Sequence, residues 1–239
     1  MTSRAVIGLG DSITNSCGFP SSNLPLASWA QWVARAVNEP VELFARPGAS
    51  CAEIERDLLP PASYGARLAL VYVGTNDILR GADPDDFEQC FDRLLARACD
   101  IARTVLVMTP PLWLGALPTI APYGFRRVKR IHQFGDVIRQ RAIQHSAEVV
   151  QAPELYGPAY VAPDRIHPTA AGQLAFADAA TWKLRDLGWS ATLPSYLAGP
   201  RSPLTSWQKI RWHAMTLGHA VKAPPREAGR TLRRALRDS

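Results

Sequence analysis

Five apolar runs of strand length punctuate the first 151 residues, with helical patterns between them. The runs are RAVIGLG at about 4–10, VELFA at 41–45, RLALVYVG at 67–74, RTVLVMT at 103–109 and AEVVQ at 147–151. Strands separated by helices cannot pair as hairpins. They pair in parallel, through crossovers that lay helices on both faces of the sheet. The alternation therefore predicts an α/β fold built on a five-stranded parallel sheet. At 239 residues and 26.2 kDa, with 47% hydrophobic residues, the chain suffices for one well-buried domain and an appendage.

The helices are signalled unevenly. One is expected over 26–38. The next opens on Asp83 as N-cap and Pro84 at the first helical position, with Asp85, Asp86 and Glu88 in the first turns and Phe87, Phe91, Leu94 and Leu95 as its apolar face. A helix over 124–145 carries Phe125, Val128, Ile131, Ile138 and Ala142 at helical spacing. Its Arg126, Arg127, Lys129, Arg130, Arg139 and Arg141 fall elsewhere, as on a solvated face, and we read no nucleic-acid patch into them. The last body helix, 169–187, should turn Leu174, Ala177, Leu184 and Leu187 inward and stop at Gly188.

Ligands of parallel sheets collect beyond the carboxyl ends of the strands, so the residues just after each strand matter most. After the first comes GDSIT with Ser12; after the second, ARPGAS with Gly48; after the third, GTNDIL with Asn76; after the fifth and a loop, DRIHP with Asp164 and His167. Taken together these are the groups acyl transfer needs. A serine hydroxyl becomes a nucleophile when a base takes its proton, and His167 is the candidate base. Asp164, three residues earlier, could fix the imidazole's tautomer and orientation. The Ser12 and Gly48 amides and the Asn76 side chain could then receive the oxyanion.

These four blocks resemble those of the SGNH hydrolases of the GDSL esterase/lipase superfamily, in order and over about residues 4–188. The resemblance implies a three-layer α/β/α flavodoxin-like fold, Ser12 as nucleophile, Gly48 and Asn76 as oxyanion donors, and a triad completed by Asp164 and His167. Two departures are visible: Ile13 replaces the usual leucine after GDS, and ARPGAS lacks the asparagine often found before the glycine. The expected function is a serine esterase cleaving a small or medium acyl ester through an acyl-enzyme, with no cofactor and no metal. An acyltransferase using the same acyl-enzyme is the near alternative, and a catalytically silent binding module of the same fold is the distant one.

Other readings of the first motif fail on particular residues. GLGDSI begins like a dinucleotide fingerprint, but Ile13 stands where the third glycine belongs, and no acidic residue lies between Ser16 and Asn38 to take a ribose hydroxyl. The G-x-S-x-G elbow of α/β-hydrolases is missing too. Trp113, Leu114, Leu117, Ile120 and Tyr123, in PPLWLGALPTIAPYG at 110–124, are candidates for an acyl-pocket wall.

Charge divides the chain at about residue 190. Residues 1–190 hold 18 Lys+Arg against 19 Asp+Glu, a net of −1, whereas 191–239 hold 9 against 2, a net of +7. We therefore divide it into a hydrolase domain at 1–190 and a basic extension at 191–239. The extension reads as a linker over 194–203, then an amphipathic helix with Leu204, Trp207, Ile210, Ala214, Leu217 and Val221 along one stripe and Lys209, Arg211 and His213 between them, then a short basic segment at 226–237. Such a helix can lie on an anionic membrane or pack on protein; we place packing first. The first strand-like run starts too early to leave room for a leader, and no apolar run approaches the roughly 20 residues of a membrane span, so the expected compartment is the cytoplasm. Cys17, Cys51, Cys90 and Cys99 lack zinc-site spacing. Cys90 and Cys99, about 13.5 Å apart along a helix at about 1.5 Å per residue, cannot bridge each other.

Overall fold

The computed structural model describes residues 6–16, 18–20, 24–61, 65–116, 123–199 and 202–217, with the side chains of 115–116 and 123–127 outside the description. Five strands, β1 (Val6–Gly10), β2 (Val41–Ala45), β3 (Ala66–Tyr72), β4 (Ala102–Met108) and β5 (Glu148–Val150), form one sheet in the order β2-β1-β3-β4-β5. Every neighbouring pair is parallel. The order doubles back at β1, which is the topological switch point of a flavodoxin-like sheet. Strand burial follows position: β1 is buried along its whole length between two neighbours, while β2, on the edge, is mostly half-buried.

Helices α1 (Trp29–Ala36), α2 (Cys51–Asp57), α3 (Thr75–Arg80), α4 (Pro84–Ile101), α5 (Tyr123–Gln144), α6 (Ala170–Asp186) and α7 (Pro194–Leu197) link the strands and extend the chain. α1 starts three residues later than expected because Ser28 and Gln31 close a capping box there. α4 starts as expected, with the Asp83 carboxylate accepting from the Asp85 amide at 2.9 Å. Its Phe87 stacks on Phe134 of α5 with ring centroids 4.1 Å apart. Ile131, Phe134, Ile138 and Ala142 form the buried face of α5; Val128, expected to join them, is 39% exposed one turn earlier. Leu187 is likewise 38% exposed, because α6 ends at Asp186 and the chain turns away at Gly188.

The expected linker contains the short α7, and residues 206–217 are helical as expected. That tail helix presents a different face from the expected one: Trp207, Ile210 and Leu217 are 71%, 58% and 68% exposed, while Trp212 and Thr216, one turn apart, are buried. Val221 and the segment 226–237 lie outside the described residues. Cys51, Cys90 and Cys99 are free thiols, and Cys17 lies outside the described residues. Among the described residues no helix is long and apolar enough to cross a membrane.

Candidate active site

The site begins where β1 ends, at a position that admits no side chain. A Cβ on Gly10 would sit 2.5 Å from the Tyr72 carbonyl oxygen and run into the Thr14 hydroxyl, so the chain can turn out of the sheet here only on glycine. The turn is closed by Asp11, whose Oδ1 accepts from the Ile13 amide at 2.9 Å and whose carbonyl accepts from the Asn15 amide at 3.0 Å. Ser12 is thereby held at the sheet's carboxyl edge, with 6% of its surface exposed.

Gln173 of α6 fastens this turn to the rest of the protein. Its amide nitrogen donates to the Ile13 carbonyl at 2.9 Å, and its oxygen accepts from the Trp29 amide at 2.8 Å. Trp29 in turn donates from Nε1 to Thr14 at 3.3 Å. All these groups are buried, so Gln173→Leu leaves a backbone donor and a carbonyl without this partner. At about 1–3 kcal/mol for each buried unsatisfied group, the expected loss is roughly 2–6 kcal/mol. Urea titration of the variant checks this; a change under about 0.5 kcal/mol, the size of an ordinary surface substitution, would mean the two backbone groups find other partners.

His167 arrives from the far edge of the sheet. After β5 the chain runs through 151–169 and pairs back on itself, Val161 opposite Pro168 and the Ala162 amide donating to the His167 carbonyl at 2.8 Å. Asp164 organises the tip: its Oδ1 accepts from the amides of Ile166 and His167 at 2.9 and 3.0 Å, which leaves Oδ2 for His167 Nδ1 at 2.7 Å. A carboxylate only accepts, so Nδ1 carries the proton, and Nε2 is free to accept from the Ser12 hydroxyl at 2.9 Å. Three side chains drawn from opposite ends of the sequence thus form one hydrogen-bonded relay.

Electrostatics agree with that polarity. Burial raises the Asp164 pKa, but the His167 hydrogen bond and charge and the two amides outweigh it and hold the carboxyl below its ordinary value. Burial lowers the His167 pKa, yet the Asp164 hydrogen bond and charge, with a contribution from Asp11, leave it above the ordinary 6.5. Asp11 itself is pushed up to about 7 by burial, against the pull of the Ile13 amide and His167.

On the other side of Ser12, α3 brings in Asn76. Its amide nitrogen donates to the Ala49 carbonyl at 3.0 Å and to Asp11 Oδ2 at 3.3 Å, so it ties the loop of Gly48 to the turn of Ser12. Gly48 adopts a φ of +79°, a left-handed conformation that suits glycine, and its carbonyl accepts from Arg80 at 2.6 Å. Asp77 accepts from the Cys51 amide at 3.0 and 3.2 Å, fixing the start of α2. Arg80 also reaches Glu53 at 3.2 Å, and Glu53 is held down to about 2, chiefly by the Ser50 amide and hydroxyl.

Of the residues the sequence singles out, Ser12, Asp164 and His167 are in direct contact, Asn76 joins them through Asp11, and Gly48 lies one residue from Ala49, which Asn76 binds. The expected pocket wall lies only partly within the described residues. Trp113 and Leu114 are buried; the Trp113 ring lies against Phe176, and its Nε1 reaches the Ile166 carbonyl at 3.5 Å. Leu117, Ile120 and the Tyr123 side chain lie outside the described residues. Sequence reasoning did not assign Gln173, Asp77 or Arg80, although Asp77 directly follows Asn76 and Arg80 stands four residues after it, in the same short stretch.

Solved structures that share the fold include hydrolases. LAE5, an α/β hydrolase enzyme from the metagenome of Lake Arreo, Spain, superposes with a TM-score of 0.57 at 20% identity, over 79% of this chain and 97% of its own. Axe2, an acetylxylan esterase from Geobacillus stearothermophilus, gives 0.57 at 21% identity, over 77% and 94%. A family two carbohydrate esterase from Clostridium thermocellum gives 0.55 at 18% identity, over 78% and 64%. Among curated proteins none matches by sequence. The profile of the GDSL-like lipase/acylhydrolase family spans residues 9–175, well over half the chain, so the protein belongs to that family and is a carboxylic ester hydrolase.

Proposed function

We propose that the protein is a serine esterase that hydrolyses small or medium acyl esters through an acyl-enzyme formed on Ser12. The observation that carries this reading is the relay from Asp164 through His167 to the Ser12 hydroxyl, at 2.7 and 2.9 Å. In the proposed cycle His167 Nε2 takes the Ser12 proton as Oγ attacks the ester carbonyl. The imidazolium, stabilised by Asp164, then gives that proton to the departing alcohol. Water repeats the sequence on the acyl-enzyme. Gly48 and Ser12 contribute backbone amides to the oxyanion, and Asn76 contributes its side chain.

One solved structure of this fold supports the short-acyl end of the range: Axe2 is named for the acetyl esters of xylan. In Axe2, a serine-to-alanine and a histidine-to-alanine variant are described as catalytic mutants.

The test is a panel of p-nitrophenyl esters from acetate to palmitate, with a serine-directed phosphonate applied in parallel. Acetate and butyrate should be turned over fastest, and intact mass should show one phosphonate adduct, lost in Ser12→Ala. Because the base must be neutral to act, kcat/KM should fall with falling pH through a midpoint above 6.5, the direction in which Asp164 and Asp11 displace His167. Asp11 titrates in the same range, so the midpoint belongs to the coupled groups. A wild-type chain that takes no phosphonate overturns the reading.

A further inference from the structure

We propose that the C-terminal extension holds the loop of His167 in its working position, with Trp212 as the positioning residue. The inference rests on the reading of His167 as the base. Trp212 stands in a tail helix whose neighbouring large apolar side chains, Trp207, Ile210 and Leu217, face outward, yet it is itself buried. Its Nε1 donates to the Val161 carbonyl at 2.6 Å. Val161 is the residue paired with Pro168, and the next amide, Ala162, donates to the carbonyl of His167 itself. The indole therefore anchors the strand of the loop to which the histidine backbone is attached.

The same ring touches the loop a second time, at its tip. The Arg165 guanidinium lies 5.4 Å from the centre of the Trp212 ring, a cation–π distance. Arg165 separates Asp164 from Ile166 and has a φ of +55°, a left-handed conformation that is strained for a residue with a long side chain. A contact that keeps Arg165 in place keeps Asp164 pointed at His167. From the inner side, Trp113 reaches the carbonyl of Ile166. Together with Leu155, Tyr156 and Gly157, the residues Trp113, Val161, Arg165 and Trp212 line one small pocket, so the loop lies between a tryptophan of the body and a tryptophan of the extension. The extension thus belongs to the catalytic unit mechanically, although it supplies none of the reacting groups.

The test uses the full chain with Trp212→Ala, Trp212→Phe and, as a control on the exposed face, Trp207→Ala. kcat and KM for p-nitrophenyl acetate, the rate of phosphonate labelling at Ser12, and Tm are measured for each. Displacements of about 1 Å in a catalytic constellation can cost up to about 10²-fold, and we expect Trp212→Ala to lower kcat by about 10-fold, with KM within about twofold and labelling slowed in parallel. Trp212→Phe, which keeps a ring for Arg165 but no N–H for Val161, should fall between it and the wild type, and Trp207→Ala should match the wild type. If Trp212→Phe and Trp212→Ala keep wild-type kcat and labelling rates, whatever happens to Tm, the indole is packing only and the proposal is overturned. Should Trp212→Ala fail to fold, the Phe variant decides by the same readings. A wild-type protein that is not labelled at Ser12 overturns the underlying assignment of the base, an outcome distinct from failure of the variants alone.

Discussion

Replacing Ser12 with alanine should lower kcat/KM on the best p-nitrophenyl ester by about 10⁴- to 10⁶-fold, and His167→Ala should do nearly as much damage. The reasoning is geometric. Among the described residues, the base bonded to Ser12 is His167 Nε2 at 2.9 Å, and the carboxylate on the other nitrogen of His167 is Asp164. A hydroxyl without its base and a base without its hydroxyl perform no shared step, so the double variant should be hardly slower than either single one. Both variants should retain the wild-type fold, since neither side chain is part of the apolar core. Near-wild-type hydrolysis by Ser12→Ala, measured on enzyme freed of contaminating esterase, would remove Ser12 from the mechanism. Additive losses in the double variant would mean that the two residues act in separate steps.

Asn76→Ala should lower kcat by about 10²-fold or more with little change in KM, the mark of a donor that serves the transition state in preference to the ground state. In the resting site both hydrogens of the Asn76 amide are engaged, one at 3.0 Å on Ala49 and the other at 3.3 Å on Asp11. The longer bond is the one an oxyanion beside Ser12 would replace, and a protonated Asp11 gives it up most readily. Removing the amide also releases the loop of Gly48 from the turn of Ser12. For that reason Asn76→Ala should cost more than the loss of a single oxyanion contact, and Asn76→Asp, which keeps the shape but offers no hydrogen to Ala49, should be no better. Initial rates over a range of ester concentrations separate the outcomes: a rise in KM alone would make Asn76 a substrate-binding residue.

How far the sequence discloses this site depends on what each residue must do. Strands were legible because continuous apolar runs have few uses other than burial, and all five fall within about two residues of expectation over the described range. Ser12, Gly48 and Asn76 drew notice because polar residues and glycine close behind apolar strands stand out against their surroundings, and Asp164 and His167, a loop beyond the fifth strand, because they share one short DRIHP segment. Gln173 did not stand out: one glutamine in a helix has no pattern, and only the folded chain shows that its two ends reach Ile13 and Trp29. The six- and seven-residue helices α3 and α2 are too short to show a period. In the tail the apolar residues line more than one side of the helix, so spacing alone favoured the longer stripe of Trp207, Ile210 and Leu217, and the indole that meets the body turned out to be Trp212. Trp113 illustrates the converse, an aromatic in a long loop that serves the interior.

The distance in sequence between Ser12 and His167, 155 residues, has a consequence for how this enzyme loses activity. Ser12 and His167 come from opposite ends of the domain's sequence, and the loop from β5 must cross the ends of β4 and β3 to reach β1. The join is sealed near Thr169, Ala170 and Gln173, where the start of α6 meets Phe19, Ile13 and Trp29. Contacts so remote along the chain carry a large loop-closure entropy, and they are open to partial release while more local structure persists. A fluctuation that frees only that seam would part the histidine from the serine and leave the sheet, with its aromatic core, standing. If Ser12 and His167 react as proposed, inactivation by heat or denaturant should therefore run ahead of unfolding, and hydrolytic activity should gauge the closure of the chain's two ends more directly than the integrity of the fold.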